Sequence, residues 1–251
     1  MEIIVLGSGA FAPARKAAVR NPAGYAARLG RDVLLFDLGF GNLWQLARAN
    51  LDPSDVSDVF LTHRHPDHVA DLAALLFLFR YGAKPRSGRL RVWGPRGLAR
   101  FLRELKRAYR PWLSPKGYRL EVRELAGGAR VSGAGWEVSS LRVEHPTPAL
   151  AYRLLHKSGS FAYSGDAGAS QGLAEFAAGC DIFVLECTQP SRRPLAGHLT
   201  PREAIAILES SGCRRGVLSH VSEESAAELR RLLKGRRRLL LARDLMTFHV
   251  E

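Results

Sequence analysis

Thr62-His-Arg-His-Pro-Asp-His68 places four side chains able to bind a cation, His63, His65, Asp67 and His68, within six positions. A neutral imidazole offers a cation one lone pair, and a carboxylate offers two oxygens. Just before the heptapeptide, Asp55-Val-Ser-Asp-Val-Phe-Leu61 is a short β-rich run. Just after it, Val69–Phe79 is long and apolar enough for a buried helix. The cluster therefore sits on a strand-to-helix loop. Held extended, that loop projects His63, His65 and Asp67 to one side and turns His68 away. Such a layout can serve two metal ions.

One loop cannot complete a two-metal site, and further donors stand at other strand ends. His145 follows the strand-like Trp136–Val143. Asp166 lies in Tyr163-Ser-Gly-Asp-Ala-Gly168, where a strand enters a glycine turn and the backbone can come close to a metal. His220 ends the β run Gly216-Val-Leu-Ser-His220. His198, in Gly197-His-Leu-Thr200, immediately precedes a helix signalled by a Thr200 cap, Pro201 in the first turn and Glu203 as a capping box. C-terminal strand edges are where open α/β architectures place their sites.

Strand-like runs recur from Ile3–Leu6 to Leu239–Ala242. Helical patterns cover Leu43–Ala49, Val69–Tyr81, Gly97–Tyr109, Gln171–Ala178, Pro201–Ser211 and Glu223–Leu233. Each half of the chain is strand-rich with helices, and no linker divides them. Residues 1–251 read as one domain, two sheets packed face to face with helices outside. Gly97–Arg110 is amphipathic, with Leu98, Phe101, Leu102, Leu105, Tyr109 and Trp112 as a buried stripe. Arg100, Arg103, Arg107 and Arg110 line another face, either a solvated surface or a phosphate-contacting patch.

Hydrophobic residues make up 46% of the 251, which excludes a disordered chain. No run approaches the roughly 20 apolar residues of a membrane span. The N-terminus enters a strand-like Glu2–Leu6 directly, so a cytoplasmic protein is expected, with no membrane partner. Cys180, Cys187 and Cys213 lack CxxC spacing and read as reduced, buried thiols. The net charge of +13 fits an anionic partner. It equally fits genome composition, because all 37 basic residues are arginine except Lys16, Lys84, Lys106, Lys116, Lys157 and Lys234.

The ordered motifs resemble the metallo-β-lactamase-fold hydrolases, and within them the ribonuclease Z-like branch. They are Leu6–Pro13, Leu35–Leu46 with Asp37, the HxHxDH of Thr62–His68, Ile182–Thr188, Gly197–Thr200, Leu218–His220 and Leu241–Met246. The resemblance implies an α/β (α+β in some schemes) four-layer αββα sandwich of two mixed sheets. It also implies that His63, His65 and His145 bind one metal, that Asp67, His68 and His220 bind the other, and that Asp166 bridges them. Two Zn²⁺ are the implied cofactors, with Mn²⁺ or Fe²⁺ as alternatives. Cations about 3.5–4 Å apart share a hydroxide available near neutral pH and stabilise charge on a phosphoryl oxygen. Asp67 would orient that nucleophile. His198 would protonate the leaving oxygen, held in place by Glu186.

The pattern departs from the branch's transfer-RNA processors in two places. They carry Gly at the position of Pro66, and a long arm where Trp93–Glu124 offers one basic helix and a short turn. Pro13–Asn21 looks like a stretched form of their Pro-x-Lys-x-Arg-Asn loop. Three functions stay open: a phosphodiesterase acting on a nucleotide or nucleic acid such as RNA; an esterase, lactonase or arylsulfatase-type hydrolase; and a nonenzymatic nucleic-acid-binding protein. The apolar faces permit a homodimer.

Overall fold

Alternating runs of β-branched and aromatic residues build two sheets whose facing sides share one core. The computed structural model describes residues 1–10, 20–83 and 86–251, so most of the Pro13–Asn21 loop lies outside the described residues. The strands are β1 (Glu2–Gly7), β2 (Gly24–Leu29), β3 (Asp32–Phe36), β4 (Val56–Phe60), β5 (Arg89–Pro95), β6 (Arg119–Leu125), β7 (Arg130–Gly133), β8 (Trp136–Val143), β9 (Ala149–His156), β10 (Gly159–Tyr163), β11 (Ile182–Glu186), β12 (Arg215–Ser219), β13 (Leu239–Leu241) and β14 (Thr247–His249). The helices are α1 (Asn42–Arg48), α2 (Pro66–Val69), α3 (Asp71–Tyr81), α4 (Leu98–Ala108), α5 (Gln171–Phe176), α6 (Pro201–Ser211) and α7 (Glu223–Leu232).

One seven-stranded sheet runs β14-β1-β2-β3-β4-β5-β6 and the other β13-β12-β11-β10-β9-β8-β7. Each sheet has an antiparallel side and a parallel side, the parallel strands being β3 to β6 in the first and β10 to β13 in the second. The parallel strands of each sheet therefore release their C-terminal ends along one edge. Between the sheets, Tyr25, Phe36, Phe60 and Trp93 meet Trp136, Tyr152, Phe161 and Tyr163. Phe60 stacks on Phe36 at 5.2 Å between ring centres and meets Trp136 edge-on at 5.9 Å. A second core packs α1, α3 and α4 on the outside of the first sheet, and a third packs α5, α6 and α7 on the second. The four-layer αββα expectation holds.

The differences are local. Strands β7 and β14 were not anticipated, being short and weakly patterned. Strand β14 returns from the second half to pair with β1, so the second half completes the first half's sheet. The helix expected at 69–81 begins at Asp71 after a separate turn, α2, and buries only one face, Leu72, Leu75, Leu76 and Phe79, while Phe77 and Tyr81 stay exposed. The stripe on α4 ends at Leu105, because the helix stops at Ala108 and leaves Tyr109 and Trp112 exposed. The three cysteines are free and buried, as expected. Among the described residues no helix is long and apolar enough to cross a membrane.

Candidate metal centre

Strand C-terminal ends deliver the chemistry to one edge: the parallel β4 leads into His63, β10 into Asp166 and β12 into His220, β11 ends in Glu186, and the antiparallel β8 leads into His145. His65 is extended, but Pro66 opens α2 with His65 as its N-cap. The alternation expected of an extended loop therefore fails after His65. Asp67 does not join His63 and His65, and His68 does not turn away. The helical turn swings both toward His220.

Two groups of donors result. His63, His65, His145 and Asp166 form one, and Asp67, His68 and His220 the other, with the donor atoms of each group within 4.8 Å of one another. In the first, His145 Nε2 lies 3.3 Å from His65 Nδ1, and His63 Nε2 lies 3.8 Å from Asp166 Oδ2. In the second, His68 Nε2 lies 3.2 Å from His220 Nε2, and His220 Nε2 lies 3.4 Å from Asp67 Oδ2. The other Asp166 oxygen, Oδ1, stands 3.3 Å from His68 Nε2 and 3.4 Å from His220 Nε2. One carboxylate thus gives an oxygen to each group. Tetrahedral ligands at the usual zinc distances lie about 3.3–3.4 Å apart, and these spacings are close to that.

Two buried carboxylates hold the imidazoles from behind. Asp37 Oδ2 accepts from His68 Nδ1 (2.7 Å), Thr62 Oγ1 (2.7 Å) and the Tyr163 hydroxyl (2.8 Å), and Oδ1 accepts from the Thr62 amide (2.7 Å). Thr62 Oγ1, having donated its hydrogen, accepts from His63 Nδ1 at 3.0 Å. In the other sheet, Glu186 Oε1 accepts from His198 Nδ1 at 2.8 Å, and Oε2 accepts from Thr188 Oγ1 at 2.7 Å. Thr188 Oγ1 in turn accepts from His220 Nδ1 at 2.7 Å. Each carboxylate therefore fixes one imidazole directly and a second through a threonine. In His63, His68 and His220 this leaves the Nε2 lone pair facing the centre, the usual arrangement behind metal-binding histidines. His145 Nδ1 donates to the Gly197 carbonyl at 3.0 Å. The threonine relays were missed from sequence, although Thr62 adjoins His63 and Thr188 follows two residues after Glu186.

Close approach requires glycine twice. Gly165 has φ +59°, and a Cβ there would come 2.5 Å from Thr62 Cβ. Gly197 has φ +80°, and a Cβ would lie 2.8 Å from Pro146 Cδ. Asp37 (φ +59°) and His220 (φ +49°) take left-handed backbone without glycine's freedom, at a cost of about 1–3 kcal/mol each.

Electrostatics favour cations at the centre. Burial, then the neighbouring His68, holds His63 well below its ordinary value, so it presents a neutral ring. Burial opposes charge on His68, yet Asp166 and Asp37 outweigh it and raise its pKa well above normal. Burial likewise opposes charge on His220, and Asp166 and Asp67 raise it. Asp166 is pulled well below the carboxylate range, against its burial, by His220 and His68. His198 is raised by Glu186, again against burial.

A family profile described as the beta-lactamase superfamily domain matches residues 33–221, from β3 through His220. The chain belongs to this superfamily. Among its relatives, a ribonuclease Z of Thermococcus onnurineus is 32% identical over 70% of this chain, which spans only 53% of that protein's length. A ribonuclease Z of Pyrococcus furiosus is 27% identical over 88% of this chain and 86% of its own. The metallo-beta-lactamase fold protein YhfI from Bacillus subtilis superposes with a TM-score of 0.83 at 21% identity, covering 98% of both chains, which shows the shared fold.

Proposed function

We propose that this superfamily member is a ribonuclease Z-like phosphodiesterase of the cytoplasm that works with two divalent cations, zinc by donor chemistry. The carrying observation is the convergence of seven side chains on two adjacent points with Asp166 between them. His63 Nε2 and Asp166 Oδ1 are buried there without a hydrogen-bond partner, and buried polar atoms are rarely left so. A mixed imidazole and carboxylate set suits Zn²⁺. His63, His65 and His145 would hold one cation and Asp67, His68 and His220 the other, sharing Asp166. When bound, such a pair makes water nucleophilic near neutral pH and offsets charge on the phosphoryl oxygens.

The chain's own residues supply the rest. Glu186 takes the Nδ1 hydrogen of His198, so a protonated His198 carries its transferable proton on Nε2. Glu186 raises the pKa of His198 and so favours its protonated form, and the task of that proton is to reach the departing oxygen. Asp67, beside His220, can steer the attacking water. The names of the Thermococcus and Pyrococcus relatives support an RNA phosphodiester as substrate. The test combines metal analysis of the purified protein with turnover of bis-p-nitrophenyl phosphate, a p-nitrophenyl ester and a lactone. Two bound cations per chain with phosphodiester turnover are expected. Ester or lactone turnover without phosphodiester turnover would overturn the assignment.

A further inference from the structure

A groove of ≈ 1030 Å³ opens directly beside His145, running between the β5 and β6 ends of one sheet and β8 of the other. Arg96 lines it from the first sheet and Arg142 from the second, and both are exposed. Apolar Pro95, Leu125, Leu141 and Pro146 form much of the remaining wall, with Glu144 the acidic member. Arg64, set between His63 and His65, is half-buried, and its Nε has no hydrogen-bond partner. Its guanidinium packs on Gly97, where a Cβ would lie 3.1 Å from Arg64 Cζ. Arg64 thus reaches the Arg96–Gly97 turn at the lip of the groove.

The basic character continues beyond that turn. Helix α4 starts at Leu98, and Arg103, Arg107 and Arg110 line a second groove of ≈ 730 Å³ between α4 and β6. Arg103 faces Glu104 at 3.8 Å, but Arg64, Arg96, Arg107, Arg110 and Arg142 form no ion pair among the described residues. By contrast, Arg91 pairs with the buried Asp58, and the exposed Arg192 and Arg193 share Glu224, so acids do accompany arginines elsewhere in the chain. Glu104 and Glu144 are the acids in these grooves, and Glu124 is engaged by the Gly97 and Ala99 amides. The arginines that outnumber them repel one another, and an anion laid along them relieves the repulsion.

We infer that Arg96 and Arg142, with Arg64 at the lip, form a phosphate-binding subsite beside the metal centre, and that Arg103, Arg107 and Arg110 continue it as a track for a single-stranded polynucleotide. The inference rests on the phosphodiesterase assignment for its direction: the scissile phosphate sits at the histidines, and neighbouring phosphates of the same strand take the arginines. The apolar groove wall suits bases or sugars, and guanidinium forks suit phosphate oxygens. A small phosphodiester fills only the metal centre and gains nothing from the track. A strand gains at every arginine.

Two measurements separate this inference from the assignment it rests on. In the first, metal-free protein binds a fluorescent single-stranded oligonucleotide, and anisotropy is followed against salt. Each phosphate contact contributes about 0.7 to the slope of log K against log salt for single strands. R96A/R142A should therefore flatten the slope by about 1.4, and R103A/R107A by a similar amount. In the second, the ratio of kcat/KM for the oligonucleotide to that for bis-p-nitrophenyl phosphate should fall about tenfold or more in R96A/R142A, as expected for lost charged hydrogen bonds. The effect should lie in KM rather than kcat. Unaltered salt slopes in both double variants would overturn the track, whatever the protein hydrolyses. Flattened slopes in a protein that turns over no phosphodiester would uphold the track and remove the hydrolytic assignment.

Discussion

Asp37→Asn tests whether the carboxylate behind the metal centre, rather than the donors alone, makes the site. Asp37 is fully buried and takes four hydrogens, three on Oδ2 and one on Oδ1. Asparagine has the same shape but one oxygen fewer. With its carbonyl turned toward Thr62 Oγ1, His68 and Tyr163, its NH₂ group faces the Thr62 amide, donor against donor. A buried donor left unmatched costs about 1–3 kcal/mol. In a chain of this size that lowers Tm by roughly 2–12 °C, at about 2–4 °C per kcal/mol. Turned the other way, the NH₂ meets three donors, which is worse. The second consequence falls on metal binding. His68 loses the anion that fixes its Nδ1 hydrogen, and Thr62 loses the acceptor that aligns it for His63. Changes to such partners typically cost 10–100-fold in metal affinity. Chelator competition with zinc at pH 7, together with thermal melts of the metal-free protein, reads both effects. A variant that melts within a degree of wild type and binds zinc within twofold of it would refute the role given to Asp37.

Other outcomes follow from the same geometry. His198→Ala should keep its metal, by elemental analysis, and lose about 10²–10⁴-fold in kcat on a substrate with a poor leaving group. The loss should shrink with p-nitrophenolate, which departs without a proton. Glu186→Gln should move the alkaline limb of kcat/KM to lower pH. The sign follows from His198: Glu186 raises its pKa, the acid form is lost as pH rises through that value, and a neutral partner lets it go sooner. An unmoved limb would remove Glu186 from this role. Asp166→Ala should drop metal content below one ion per chain, because both groups lose an oxygen. Full occupancy would show that Asp166 is dispensable.

How far the sequence reached is clearest at residues 62–68. The donor types and the strand-to-helix setting were legible, because hydrophobic runs on either side show their periods directly. The orientation was not, because an extended peptide and a helical turn place Asp67 on different sides, and Pro66 decides between them only where the loop packs. Leu38, for instance, pins this turn by donating its amide to the His68 carbonyl at 2.8 Å. Similarly, α4 was recognised from its stripe, but Tyr109 and Trp112 fit the same rhythm and stay exposed because the helix ends before them. Strand β14 carried too few residues for any pattern, and its pairing with β1 is a contact between the two ends of the chain.

By itself, then, the sequence determined which side chains have the chemistry to bind a cation and that they stand at or just beyond strand ends, since both depend on neighbours a few residues away. The tertiary structure alone decided their partnership. His65 meets His145 across 80 positions and Asp67 meets His220 across 153, distances over which only the stacking of two sheets sets proximity. The same stacking put Asp166 between the groups and placed an Asp37 relay in one sheet opposite a Glu186 relay in the other. Parallel strands made this outcome available, because they bring the C-terminal ends of distant segments to one edge.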